Sequence, residues 1–434
     1  MSPGVVTWAD CFAIRLICHH PRRVGGHAPR PAAHPHWGGQ RKGECEIVTH
    51  PKAWCAKFGA NNYRRQRMDS RGVQPRRSAI CRGMGRGSRV VQTHRWTLFL
   101  AAALAAGAPS FAATPVADAL QRPALAVSAP QRAVLLAGAQ AGARVIAVGE
   151  RGIVALSDDS GKTWRQAPCP VSVTLTMVRF ADDRNGVAVG HGGTVLTTAD
   201  GGASWSVRLD GRRAAQLAKE AATTPAAQRD AERLVADGPD KPFLDVLVWD
   251  AKRFLVVGAY GLVFHTADGG ATWTPWMARL PNPKSRHWYV ARRSGNALWL
   301  AGEQGLVTRS TDGGETFQPV ASPYQGSWFA GALQPDGGVL LAGLRGNVWR
   351  TADAVNWTQI PSPVPASITA VATAEDGRLL LASQAGLVLV LQGDRLVPLG
   401  SVSVPNPAGL LQLQGGALLS VGINGVLPAL EVRP

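Results

Sequence analysis

One short pattern returns seven times along the chain, and it leaves few folds open. IAVGERGIVALSDDSGKTW begins at Ile146, VAVGHGGTVLTTADGGASW at Val187, LVVGAYGLVFHTADGGATW at Leu255 and WLAGEQGLVTRSTDGGETF at Trp299. LLAGLRGNVWRTADAVNW from Leu340 has lost one residue of its turn, while LLASQAGLVLV from Leu380 and LLSVGINGVLPAL from Leu418 keep the front half alone. The anchor positions Gly149, Gly190, Gly258, Gly302, Gly343, Ser383 and Gly422 are spaced by 41, 68, 44, 41, 40 and 39 residues. A period of about 40 suits a four-stranded propeller blade or a pair of helices. Runs such as TVLTT and LVFHT alternate by two, which is the period of a strand. The expected fold is therefore all-β: a seven-bladed β-propeller of four-stranded blades.

The second unit shows how the pattern reads as a blade. Residues 174–180 form the expected inner strand, residues 186–190 the next, residues 194–198 the third, and Trp205 opens the outer strand. Glycines at the turns supply backbone conformations that other residues adopt only at a cost. The third turn carries S/T-x-D-x-G-x-T/S-W, the Asp-box. Asp159, Asp200, Asp268, Asp312 and Asp353 are placed to accept hydrogen bonds from their own turns. Trp164, Trp205, Trp273, Phe317 and Trp357 are placed to bury a large ring against a neighbouring blade. One carboxylate per blade, far from its copies, makes neither a paired acid/base site nor a calcium cage, so these residues are structural.

Two departures from regularity carry expectations of their own. The long step of 68 residues reflects an insertion over residues 207–242, whose stretch GRRAAQLAKEAATTPAAQRDAERLVADGPD is dense in helix formers with Pro225 in its middle. A helical hairpin between blades 2 and 3 is expected, projecting on the face that carries the VGxxG turns. The last unit ends soon after Leu427, too early for four strands. A segment within residues 114–130 is expected to supply the missing outer strand.

The formal charge of +17 is concentrated outside the repeats. Residues 1–95 hold 18 basic and 4 acidic residues, whereas the remainder holds 28 and 25. That distribution removes the argument for nucleic acid, which needs clustered charge on the folded body. Cys11, Cys18, Cys45, Cys55 and Cys81 also lie upstream, leaving Cys169 without a disulfide partner in the body. No metal, nucleotide or other cofactor motif stands out. Between them, from Met84, lies a secretory signal: Arg86, Arg89 and Arg95, an apolar run over residues 96–106, and small residues at Ser110 and Ala112. The apolar run is about half the ~20 residues of a membrane span. The expected organisation is a basic extension over 1–83, either upstream of the true start at Met84 or disordered, a signal peptide over 84–112, and a propeller over 113–434. The mature chain is then periplasmic or secreted, either soluble or associated with a membrane.

The VGxxG face is where a partner is expected. Arg151, His191, Tyr260 and Arg345 stand in its tight turns, and Arg286, His287, Trp288 and Tyr289 lead into the fourth inner strand. Arginine beside exposed aromatics is the composition of a protein-contact hot spot.

VAVGHGGTVLTTADGGASW and its copies resemble the photosystem II stability/assembly factor family, exported seven-bladed propellers with Asp-box repeats, over residues 133–434. The resemblance implies a non-enzymatic scaffold that assists a membrane protein complex: a photosystem is the family's best-known client, and in a non-photosynthetic organism the client would be another envelope complex, such as a transporter component. It also implies a basic patch, for which Arg179, Arg286, Arg309 and Arg345 are the counterparts, and no small-molecule cofactor. Two alternatives compete. A secreted carbohydrate- or peptide-binding propeller would use the same face. An Asp-box glycosidase of the sialidase type would need a tyrosine nucleophile, acidic partners and a carboxylate-holding arginine triad. Tyr260, Tyr289 and Tyr324 are present, but the Arg-Ile-Pro motif is missing and the acids cluster in turns. If the signal is read correctly, N-terminal sequencing of the exported protein starts at Ala113, and peptides from residues 1–83 recovered from cells would refute the start at Met84.

Overall fold

The computed structural model describes residues 117–431, so the basic extension and the expected signal peptide lie outside the described residues. Seven antiparallel sheets follow one another along the described chain. The first holds β1 (Leu135–Ala141), β2 (Arg144–Gly149), β3 (Val154–Ser157) and β4 (Arg165–Ala167). The second holds β5 (Leu175–Phe180), β6 (Gly186–Gly190), β7 (Thr194–Thr198) and β8 (Ser206–Leu209). Then come β9 (Phe243–Val248), β10 (Phe254–Gly258), β11 (Val263–Thr266) and β12 (Thr274–Pro275). The fourth sheet is β13 (Trp288–Ser294), β14 (Ala297–Gly302), β15 (Val307–Ser310) and β16 (Gln318–Pro319). The fifth is β17 (Trp328–Leu333), β18 (Val339–Gly343), β19 (Val348–Thr351) and β20 (Thr358–Gln359). The sixth is β21 (Ile368–Thr373), β22 (Leu379–Ser383), β23 (Leu387–Gln392) and β24 (Arg395–Ser403). The seventh holds β25 (Pro407–Gln412), β26 (Ala417–Gly422) and β27 (Gly425–Glu431).

Strands pair in sequence order within every sheet. The first strands β1, β5, β9, β13, β17, β21 and β25 pack one against the next, and β25 against β1 closes the ring around a central channel. This is the seven-bladed propeller expected from the repeats, with the insertion between blades 2 and 3.

The glycine that ends each VG pair has a packing reason. A β-carbon on Gly149, Gly190, Gly258, Gly302 or Gly343 would stand 1.9–2.3 Å from the carbonyl of Val134, Thr174, Pro242, His287 or Ser327, where the chain enters an inner strand. Each inner strand then slips register beside its second residue, a bulge repeated in all seven blades. The core consists of layers between blades, not one central mass. Ile146, Leu156, Val178, Leu196 and Trp205 pack together between blades 1 and 2. Val189, Phe243, Phe254, Phe264 and Trp273 do the same between blades 2 and 3.

The Asp-box turns are closed by their own side chains. Asp159 accepts from the Thr163 amide at 2.8 Å and hydroxyl at 2.5 Å, and from the Ser157 hydroxyl at 2.8 Å. Asp200, Asp268 and Asp312 repeat this arrangement with Ser204, Thr272 and Thr316. In the shortened fifth turn Asp353 accepts instead from the Val355 and Asn356 amides. The aromatic ring reaches the preceding blade: the Trp273 indole donates to the Arg208 carbonyl at 3.2 Å, and Phe317 meets Trp276 edge-on at 6.4 Å.

Ring closure differs from the expectation. The seventh sheet has three strands, and described residues 117–130 form none. Instead they run along blade 1, where Ala124 donates to the Cys169 carbonyl at 3.0 Å and Val127 to the Gln166 side chain at 2.8 Å. Only the following turn at Gln131 approaches blade 7, its carbonyl lying where a β-carbon on Gly425 would be. Closure by packing of β25 and β26 on β1 makes a fourth strand dispensable. Pro428, within β27, also lacks the amide an added strand would need.

Two outcomes follow. Trp205→Ala removes a ring that is 7% exposed and should lower unfolding free energy by about 3–5 kcal/mol in urea titrations. Hydrogen bonds from Thr163 and Thr272 pull the Asp159 and Asp268 carboxyls down to about 2. Because these folded-state values lie below the unfolded one, their contribution is complete above about pH 4 and is lost between about pH 4 and 2. Thermal melts across that interval should fall less steeply for Asp268→Ala than for the parent.

Candidate functional site

The turns between second and third strands, and the connections from each outer strand to the next inner strand, lie at the same end of every blade. Four of those turns hold a non-glycine residue in the left-handed region: Arg151 (φ 53°), Tyr260 (φ 55°), Gln304 (φ 52°) and Arg345 (φ 58°). That conformation costs on the order of 1 kcal/mol each, a strain that tends to be kept where a side chain has a task. Arg151, Tyr260 and Arg345 are exposed.

This face is divided. Over blades 1 and 2 it is covered. Residues 118–128 cross it as a strap, with the Ser172 amide donating to the Ala119 carbonyl at 2.8 Å and Arg122 donating to the Ser172 hydroxyl at 3.0 Å. Leu120 reaches over Gly192. The insertion forms two helices, α1 (Gly211–Ala221) and α2 (Pro225–Asp237). Their starts are capped by Asp210, which accepts from the Arg213 amide, and Thr224, which accepts from the Ala227 amide, with Pro225 opening α2. Ala214, Ala218 and Ala231 seat the pair on blades 2 and 3. An ion pair between Arg212 and Asp118 joins hairpin to strap.

Over blades 3 to 5 the face carries a row of rings. Tyr260 lies 5.0 Å from His287, His287 6.1 Å from Tyr289, and Tyr289 5.6 Å from Phe329, centroid to centroid. Tyr289 and Phe329 are the bulged second residues of β13 and β17, which places them at the channel mouth. Glu303 fixes His287 by accepting from its amide at 3.1 Å, with Nδ1 3.2 Å away; the hydrogen bond from His287 holds the Glu303 carboxyl below its usual value. Lys241 stands 5.1 Å from the Tyr260 ring and pairs with Asp240 and, at 3.3 Å, with Asp237. Burial opposes its charge, but the two aspartates outweigh it and keep the amine raised.

Deeper in the channel lies a charged cluster that sequence reasoning missed. Asp245 on β9 is 1% exposed at its side chain, between Arg179 on β5 and Arg292 on β13. Its Oδ1 accepts from Arg179 Nε and Nη2 at 3.2 and 3.0 Å and from its neighbour Val246 N at 2.9 Å. Its Oδ2 accepts from Arg292 Nη1 at 2.6 Å and Ala291 N at 3.0 Å. Arg292 also donates from Nε to the Gly331 carbonyl at 2.7 Å, so the carboxylate joins three successive blades and Arg292 extends the link to a fourth. Burial alone would raise the Asp245 carboxyl; the two guanidiniums and the Ala291 amide outweigh it and hold it low.

The expected site residues therefore separate. Tyr260 and His287 meet in the row of rings, with Arg286 just before it, while Arg151 and Arg345 stand on their own turns. Trp288 is fully buried and faces the core. His191 lies beneath the strap and hairpin with Nε2 enclosed, and burial lowers its pKa. Arg179 belongs to the channel. Arg309 stacks over Trp299 at 4.9 Å, four residues down β15 from the turn, and so does not reach the face. The signal for the missed cluster was present: FLDVLV places one acid in an otherwise apolar inner strand.

At the opposite end, a cleft of about 520 Å³ between blades 1 and 2 is lined by Arg144, Asp158, Asp183, Arg184 and Asp200. Asp158 is engaged by Arg144 at 2.5 Å and Arg165 at 3.2 Å, and Asp200 by its own turn. Among the described residues no cluster of His, Cys, Asp or Glu is suited to a metal, and no helix is long and apolar enough to cross a membrane.

Residues 225–392 match the model of the photosynthesis system II assembly factor YCF48 family. A 74-residue stretch is 34% identical to the photosystem II assembly lipoprotein Ycf48 of Synechococcus sp. strain CC9902, covering 17% of this chain and 22% of that protein. The match thus spans about a fifth of that relative's length. Among solved structures, YCF48 bound to D1 peptide aligns over 70% of this chain and 97% of its own, with 19% identity and a TM-score of 0.52. YCF48 from Cyanidioschyzon merolae aligns over the same shares with 17% identity and a TM-score of 0.51. A streptogramin B lyase reaches a TM-score of 0.54 at 12% identity, covering 71% of this chain and 98% of its own. At such identities the structural likenesses speak for the propeller fold; the family model and the Synechococcus relative carry the resemblance to the assembly factors.

Asp245→Ala should be costly, because it strands two guanidiniums beside each other. A loss of about 3 kcal/mol in urea unfolding is expected, toward the low end for a broken buried pair since Arg179 stays a third exposed.

Proposed function

We propose, from the likeness of residues 225–392 to the photosystem II assembly factors, that this chain is an exported, non-catalytic assembly or stability factor for a membrane protein complex. The single observation behind it is that family match; the divided VGxxG face supplies the means. Strap and hairpin cover blades 1 and 2, which leaves the basic and aromatic surface of blades 3 to 5 for a partner. Tyr260, His287, Tyr289 and Phe329 offer flat apolar area, and Arg286 and Arg345 flank it with positive charge. That pairing suits an extended segment of a client protein carrying apolar and acidic side chains.

A related propeller has been solved bound to D1 peptide, which supports a polypeptide as the ligand class. The client is a photosystem where the cell has one, and otherwise another envelope complex, a transporter component among them. The relative from Synechococcus is a lipoprotein, which supports work at a membrane surface on the exported side.

The test is affinity purification of the tagged exported chain from detergent-solubilised envelope after crosslinking in cells. One dominant integral-membrane partner is expected, with recovery falling at least tenfold for Arg345→Glu combined with Tyr260→Ala (about 1.4 kcal/mol or more). No recovered protein, together with binding on a glycan array, would replace this function with carbohydrate recognition.

A further inference from the structure

The channel cluster is not balanced in charge. The seven inner strands contain one carboxylate, Asp245, and three arginines, Arg179, Arg292 and Arg293. Arg293 turns away toward Trp249, whose ring is 5.9 Å from its guanidinium. That leaves two guanidiniums facing one carboxylate, a net positive charge on the channel wall.

Nor are the donors used up. The Asp245 carboxylate already accepts five hydrogen bonds, from Arg179 Nε and Nη2, Arg292 Nη1, Val246 N and Ala291 N, and has no capacity left. Arg292 commits Nε to Gly331 and Nη1 to Asp245 and Ala291, while its Nη2 has no partner among the described residues. Arg179 Nη1 is in the same position. Both side chains belong to inner strands and keep part of their surface accessible, 33% for Arg179 and 17% for Arg292. Burial and the neighbouring Arg179 both act against the charge on Arg292. An anion placed between the two would relieve that repulsion and use donors that are otherwise idle.

We propose that the central channel binds one small oxyanion, a carboxylate or a phosphate, between Arg179 and Arg292. Asp245 is the positioning residue. It holds both guanidiniums in place by their inner edges and turns the outer edges to the channel. Three inner strands supply the cluster, so an occupied site ties blades 2, 3 and 4 together and stabilises the ring. This site does not depend on the identity of any client, since it is read from the channel wall and not from the outer face.

The experiment uses the exported full chain with acetate and inorganic phosphate as probes, at ionic strength held constant with sodium chloride. Calorimetric titration should give a stoichiometry of one for at least one probe, and saturation should raise the thermal midpoint by about 2–4 °C. Arg179→Gln, at a partly exposed position, should keep the fold and weaken binding at least tenfold. Asp245→Asn removes the internal acid; it should melt lower than the parent without probe and recover more on adding it. Recovery in that variant separates an anion site from a purely structural ion cluster, for which the probes would do nothing. Binding to acetate but not phosphate assigns a carboxylate, and the reverse a phosphate. No heat with either probe, or a thermal rise that persists in an Arg179→Gln/Arg292→Gln double variant, overturns the proposal.

Discussion

Each blade of this protein is apolar on both faces and can bury them only against its neighbours. The interfaces between blades are therefore the constraint from which the rest follows. Ile146, Leu156 and Trp205 fill one such layer, and Phe243, Phe264 and Trp273 the next. No blade has a hydrophobic core of its own, so the ring has to close for any of them to be stable. It closes through β25 and β26 packing on β1, with no strand shared across the seam. The Asp-box serves the same end locally. It ties a rim turn to its own carboxylate and so sets the angle at which the ring of Trp205 or Trp273 meets the blade before it.

A closed ring of nearly equivalent blades offers the same face seven times, and this chain makes its copies unequal. The strap and the helical hairpin cover the turn of blade 2, and the strap presses on Gly152 in that of blade 1, while Arg151 stays exposed. Leu120 occupies the space above Gly192, and Gly211 presses against Gly193. Blades 4 and 5 have the aromatic residues Tyr289 and Phe329 at the bulged position, where the second blade has Thr176 and the sixth Thr369. In those two blades the hydroxyl donates to the carbonyl of the next inner strand, Phe243 or Pro407, at 2.6 Å. The same position thus serves as a seam in some blades and carries a ring at the channel mouth in others. Quasi-symmetry gives the frame, and the departures from it mark the working side.

The blades were legible in the sequence because their signals are local: alternation by two, glycines at close approaches, and an acid that closes its own turn. In the second blade the strands over 186–190 and 194–198 agree to the residue, and the hairpin was readable from its alanines and Pro225. What failed was the seam. A segment of 114–130 as the last outer strand rested on the expectation that every edge must be paired. The protein closes by face packing instead, and Pro428 blunts the edge left over. Trp288 turned out to face the core because strand alternation decides which side of a blade a residue faces, and the bulge beside it shifts that count. Arg309 rests on the resemblance alone, and on β15 it stacks on Trp299.

The charged cluster shows the limit from the other direction. Arg179, Asp245 and Arg292 are separated by 66 and 47 residues, and nothing near any one of them points to the others. They come together because they occupy neighbouring inner strands, so their proximity is a property of the ring. Such a cluster is an unusual thing to keep for stability alone. Ion pairs withdrawn from water are often no better than apolar side chains of the same size, and a surplus charge is worse. The inner strands of the first, fifth, sixth and seventh blades carry no charged residue, which shows that an inner strand can be built without charge. Keeping one acid and two bases there, saturated on one side and open on the other, is what a binding site requires and a packing solution does not. The rim face and the channel are then two separate functions of one ring: the first exposes flat rings and arginines to something large, and the second admits only what fits between two guanidiniums.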